Sequence, residues 1–128
     1  MSMKKCKVYL LIALLGLAFS ACVYDFEAVE VIEEIPDTQV ISFSETIIPI
    51  FESKCTSCHK VGGIKPVPDL TAANAYNSIN SSTYINATTP ENSLIYTKPS
   101  PDGSHSAKYT RQEAAFVLAW INQGAQDN

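Results

Sequence analysis

The residues best suited to chemistry lie in the stretch CTSCHK, where Cys55 and Cys58 stand three apart and His59 follows directly. The sequence has one other histidine, His105. Thiolates and imidazoles bind soft and borderline metals, and paired thiols exchange disulfides. Zinc would take Cys55, Cys58, His59 and His105 as a formal two-Cys, two-His set. The adjacent Cys58 and His59 would strain a shared tetrahedron, however, and the histidines do not form a second cluster of their own. A thiol–disulfide couple would use the cysteines but leave His59 incidental, and nothing around the motif suggests the fold that carries such couples.

A third chemistry uses every residue of the motif. Cys-x-x-Cys-His is the attachment signature of c-type haem. Two thioethers pin the porphyrin vinyl groups, and the next side chain ligates the iron from one face. Cysteines three apart with an adjacent histidine are what attachment within one turn of chain requires. The expectation is one haem c per chain, held by Cys55, Cys58 and His59.

Haem c is attached outside the bacterial cytoplasm, and the N-terminus fits export. Lys4, Lys5 and Lys7 precede an apolar run of 14 residues, Val8 to Ala21, which is too short for an ordinary membrane-spanning helix. Small residues then lead into a cysteine in Phe19-Ser20-Ala21-Cys22, similar to the lipobox of bacterial lipoproteins. Residues 1–21 are thus expected to be a lipoprotein signal peptide, with Cys22 lipidated at a bacterial membrane and the domain in the periplasm or at the cell surface. An uncleaved anchor, or a plain signal cut at another small residue, are the alternatives.

Removal of residues 1–21 takes three of the nine basic residues and none of the thirteen acidic ones, leaving a formal charge of −7. Such a chain is poorly suited to nucleic acid or to an anionic bilayer, and a redox protein with a basic docking surface is the expected partner. With Cys22 lipidated, Cys55 and Cys58 are the one pair left, which is no disulfide framework for a small secreted fold.

The elements that must position these residues can be read in outline. Residues 22–41 hold six acids and no base and read as an acidic tether. Residues 42–128 form the domain. Ser42 and Glu45 can cap a helix that carries Ile47, Ile48 and Phe51 into Cys55, its regular part starting near Ile48 because Pro49 cannot donate inside it. Gly62, Gly63, Pro66 and Pro68 mark a loop over 61–68. Thr71 can cap a short helix carrying Tyr76 and Ile79, and Thr89-Pro90 a helix carrying Leu94, Ile95 and Tyr96. An irregular stretch of 13 residues, 97–109, precedes a last helix with a Thr110/Glu113 capping box, a stripe of Phe116, Val117, Trp120 and Ile121, and Gly124 as its stop. So few short helices bury little apolar surface unaided, and something large and apolar at the centre would stabilise them.

Residues 42–128 resemble the class I monohaem cytochromes c, more closely the lipoprotein cytochrome c domains of Bacteroidetes. The resemblance rests on IIPIFESKCTSCH, PDLTAANAYNSI, YINATTPENSLIY and TRQEAAFVLAWINQGAQDN. It implies an all-α fold of three to four short helices around one covalently bound haem, with the first helix leading into the motif and the last crossing it. It places Phe51, Phe116 and Trp120 at that crossing or against the porphyrin, and offers a carbonyl of Pro66 or Pro68 to His59. It also implies a methionine as sixth iron ligand, in the loop before the last helix. Here the sequence departs from the pattern, since Met1 and Met3 are its only methionines. His105 lies in that loop, after Gly103, and is the expected substitute, ahead of Lys98, Lys108, Tyr109 or an open site. The implied function is single-electron transfer between membrane or periplasmic redox proteins, without enzymatic activity. The alternatives are a five-coordinate haem that binds a diatomic gas or peroxide, and a fixed subunit of a larger electron-transfer complex.

Overall fold

The computed structural model describes residues 32–128. The expected signal peptide, Cys22 and the start of the expected tether lie outside the described residues.

Every regular element among the described residues is helical. Ser42 accepts the Glu45 N–H on its hydroxyl (3.1 Å) and opens a π-helical turn, Phe43–Ile47. That turn passes directly into α1, Ile48–Lys54, with Pro49 in its first turn. Pro49 has no N–H to give to the carbonyl four residues back, so the chain makes one wide turn first and becomes regular at Ile48. Cys55 caps the far end, its N–H bonded to the Phe51 carbonyl. Helix α2, Ala75–Ile79, is a single turn, shorter than the sequence suggested. The next predicted helix is split: Pro90–Asn92 is a 3-10 turn, and α3, Leu94–Thr97, starts afresh after Ser93.

Helix α4, Arg111–Asn122, carries the full capping box at Thr110 and Glu113. It ends where Gly124 adopts φ +95°, a conformation that glycine takes without strain. The Ala125 N–H turns back to the Trp120 carbonyl (3.0 Å), and the Trp120 indole donates to the Gln126 carbonyl (2.9 Å).

The core lies where the π turn, α1 and α4 meet. Ile47, Phe51, Val117 and Trp120 are fully buried there, and the Phe43 ring lies between those of Phe51, Tyr76 and Trp120 at 6.3, 5.3 and 5.0 Å between ring centres. Phe51 and Trp120 therefore serve the helix crossing, while Phe116 is half-buried against the same cluster.

The stretch before Ser42 is attached to α4 by two glutamines. Gln112 accepts the Glu33 N–H (2.6 Å) and donates to the Glu33 carbonyl (3.3 Å). Gln123 accepts the Ile41 N–H (2.8 Å) and donates to the Gln39 carbonyl (2.9 Å). Each primary amide thus bonds both a donor and an acceptor of the passing backbone, as a neighbouring β-strand would.

Candidate haem site

Cys55 follows the last turn of α1, and both Cys58 N–H (3.0 Å) and His59 N–H (2.9 Å) bond back to its carbonyl. The motif is thereby wound into one compact turn, with Cys55 buried and Cys58 half-buried, both as free thiols. Beyond it the chain doubles back on itself through Gly63 N–H to Lys60 carbonyl (2.9 Å) and Lys65 N–H to Cys58 carbonyl (3.1 Å). A side chain at Gly63 would place its Cβ 2.3 Å from the Cys58 carbonyl oxygen, so this crossing requires glycine. The loop ends at Pro68, whose carbonyl lies 3.1 Å from His59 Nδ1. Of the two prolines named from the sequence, Pro68 makes this contact. With its proton on Nδ1, His59 donates there and keeps the Nε2 lone pair available to a metal.

The second histidine comes from the other wall. In the loop after α3, the His105 N–H bonds the Lys98 carbonyl (3.0 Å), Tyr109 N–H bonds the Pro99 carbonyl (2.7 Å) and Gly103 N–H bonds the Ser100 carbonyl (2.9 Å). The 13 irregular residues expected from the sequence are therefore a tightly self-bonded loop whose ends lie close together. His105 Nδ1 is 3.0 Å from the Ala107 carbonyl and 3.2 Å from the Ala107 nitrogen, so its backbone contacts among the described residues fall on Nδ1 and not on Nε2.

Between these walls lies a cavity of about 310 Å³. Cys55, His59 and His105 face it with Leu70, Ile95 and Tyr109, and Pro68, Tyr84, Leu94, Lys98, Pro99 and Ser104 complete the lining. Cys58 is beside the cavity but not part of its wall. The two imidazoles face each other with 5.8 Å between ring centres and 35° between planes. Imidazoles bound to opposite sides of one metal ion, each at about 2 Å, bring their ring centres to roughly 6 Å. The mostly apolar walls suit a large, flat, apolar group such as a porphyrin. No cluster of three or more His, Cys, Asp or Glu that could hold a metal ion occurs among the described residues.

The rival ligands named from the sequence are otherwise engaged. Tyr109 donates its hydroxyl to the Ile95 carbonyl (3.1 Å), and burial, before the nearby Cys55 and Glu113, holds its phenol well above the usual range. Lys108 Nζ bonds the Pro101 and Gly103 carbonyls. Lys98 reaches the cavity wall, but its ammonium donates to the Ser104 hydroxyl (3.2 Å). Cys55 is also shaped by its surroundings: burial chiefly, and then the Glu113 carboxylate, push its thiol up to about 11 against the opposing pull of Lys54. Sequence reasoning did not single out Leu70, Tyr84 or Pro99 as wall residues. Only their apolar character within polar stretches distinguished them.

The family model described as cytochrome c matches residues 49–125, a span that contains both histidines and both motif cysteines. No curated protein and no solved structure matches the chain.

Proposed function

The chain belongs to the cytochrome c family, and we propose that it is a single-electron carrier in which Cys55 and Cys58 hold one haem c and His59 and His105 ligate it. A haem-based electron-transfer role follows from the family. The observation that carries the finer reading is the pair of facing imidazoles, 5.8 Å between centres across an apolar cavity.

A haem bound here supplies a one-electron ferric–ferrous change. Cys55 and Cys58 fix it covalently on one turn of chain. Pro68 orients His59 and the Ala107 backbone orients His105, both through Nδ1; with its proton on Nδ1, each would present Nε2 with its lone pair. Leu70, Leu94 and Ile95 give the space between an apolar lining. Two nitrogen ligands, His59 from the motif turn and His105 from the self-bonded loop, would leave no position for substrate and little to rearrange when the charge changes. They also favour a lower potential than histidine with methionine. The N-terminal pattern supports a lipoprotein form: signal cleavage before Cys22, lipid on that cysteine, and the haem domain held outside the cytoplasm at a bacterial membrane, where redox proteins are its partners.

Low-temperature near-infrared magnetic circular dichroism of the purified holoprotein, with His105→Ala alongside, tests the ligation. The expected result is a bis-nitrogen charge-transfer band that the variant loses, and carbon monoxide binding to the reduced variant but not to the reduced wild type. High-spin wild type that takes carbon monoxide would overturn the closed carrier in favour of gas or peroxide chemistry.

A further inference from the structure

Behind the cavity wall, an ion pair joins the end of α1 to the start of α4. Lys54 Nζ lies 3.4 Å from Glu113 Oε2. Lys54 directly precedes Cys55, and the same Glu113 oxygen accepts the N–H of Thr110 (2.7 Å), the residue after Tyr109. Cys55 and Tyr109 both line the cavity. The pair is thus anchored next in sequence to the wall on both sides. Its side chains are mostly covered, Lys54 being 32% and Glu113 21% exposed, so water and salt screen it less than a pair on the open surface.

Capping α4 does not require this charge. The capping box uses Glu113 as a hydrogen-bond acceptor, which glutamine would also supply. What the charges add is a field at the cavity. Its sign shows at Cys55: burial first, and then the Glu113 carboxylate, push that thiol up to about 11, while Lys54 pulls it down by less. The wall itself carries the ammonium of Lys98 and no carboxylate. Glu113 is therefore a negative charge set against a wall that has none of its own. An iron that gains a positive charge on oxidation is held ferric by a nearby carboxylate and ferrous by a nearby ammonium.

We propose that the Glu113–Lys54 pair tunes the redox centre: the Glu113 carboxylate, behind Cys55 and Tyr109, lowers the midpoint potential of a haem in this cavity, and Lys54 limits that lowering. The inference rests on the carrier reading and concerns the level at which the carrier works. The axial ligands set that level coarsely, and the pair adjusts it through space. Both Thr110 N–H and Lys54 hold the same oxygen of Glu113, so the charge has one position. A charge fixed in this way acts on either oxidation state without having to move.

Redox titration of the holoprotein with small mediators, followed by absorption, tests this. Glu113→Gln keeps an acceptor for the Thr110 N–H and removes the charge, so its midpoint should rise. At the potential where wild type is half reduced, this variant should hold about three times more ferrous than ferric protein. Lys54→Met keeps the aliphatic stem, and its midpoint should fall. The double variant should lie between the two. The near-infrared charge-transfer band should match wild type in all three, since the axial ligands are untouched. Opposite signs separate tuning from a structural role: a pair that only closed the cavity would admit water in either single variant and move both midpoints the same way. Shifts of one sign, no shift, or a changed ligand band would overturn the proposal. Glu45→Gln, on the π turn at the far end of α1, controls for total charge. A shift there as large as that of Glu113→Gln would also overturn it. If wild type gives no reversible one-electron change, the carrier reading itself fails. If it does and the midpoint ignores both charges, only the tuning role fails.

Discussion

His105 ends up opposite His59 because a few atoms on its own loop leave it little choice. Gly103 is the tightest point: a Cβ there would meet the Lys98 carbonyl oxygen at 2.3 Å and that of Thr97 at 2.4 Å. Gly103→Ala must therefore push the loop away from α3, and with it His105. The expected outcome is a mixed population in which part of the ferrous protein binds carbon monoxide. Gly62→Ala offers the contrast, since φ +77° disfavours alanine but nothing lies within reach of its Cβ. It should lower stability by about 1–2 kcal/mol and leave the absorption spectrum of the wild type. The proposed ligand itself can be exchanged. His105→Met should raise the midpoint potential, read by redox titration, because thioether sulfur favours the ferrous ion over a second nitrogen. At this scale the sequence was informative for a simple reason: a chain with two histidines offers a short choice. It could not dismiss Tyr109 or Lys108, whose polar ends are taken up by the backbone oxygens of Ile95, Pro101 and Gly103.

Two elements hold the site in place, and they were not equally readable. The Thr110/Glu113 capping box forms as its spacing predicted, because it is a local device that needs only four residues in register. The anchoring of residues 33–41 along α4 was not readable. Gln112 and Gln123 lie 79 and 84 residues from the backbone they bond, and glutamine carries no pattern that foretells a partner so distant. Of the predicted tether, this part lies along the domain. Gln112→Ala and Gln123→Ala should each cost about 1 kcal/mol and speed amide exchange at 33–41, with little change at α1. The loop from Cys58 to Leu70 has a titratable anchor. Hydrogen bonds from the Thr71 hydroxyl first, then from the Thr71 N–H, hold the Asp69 carboxyl below its usual range. A carboxyl with a folded pKa below its unfolded value of about 3.9 stabilises the fold above that pH and ceases to as pH falls through the folded value. Asp69→Asn should thus be less stable than wild type at pH 7 and show a shallower acid limb in a series of melts from pH 7 to 2. An unchanged acid limb would mean that the carboxyl does not anchor this loop.

At the scale of the molecule, the cavity adjoins the core through Cys55, Leu70, Ile95 and Tyr109. The aromatic cluster of Phe43, Phe51 and Trp120 closes one side of the domain, but α3, the 97–109 loop and the turn after Cys55 meet mainly across the space that a porphyrin would fill. The space opens to solvent, so without a group to fill it water would wet Leu70, Leu94 and Ile95, and covering that apolar surface is worth about 25 cal/mol per Å². Covalent attachment is therefore expected to decide whether this chain folds at all. In Cys55→Ser/Cys58→Ser, which cannot form thioethers, heating should give a broad, weakly cooperative loss of helical ellipticity and no tertiary signal from Trp120. His59→Ala keeps both thioethers and a filled cavity, so it should still melt in one transition, at lower temperature and with altered spin state. If the double-serine variant, free of haem, melted as sharply as the holoprotein, the aromatic cluster alone would be the folding core and the site merely a groove on its surface.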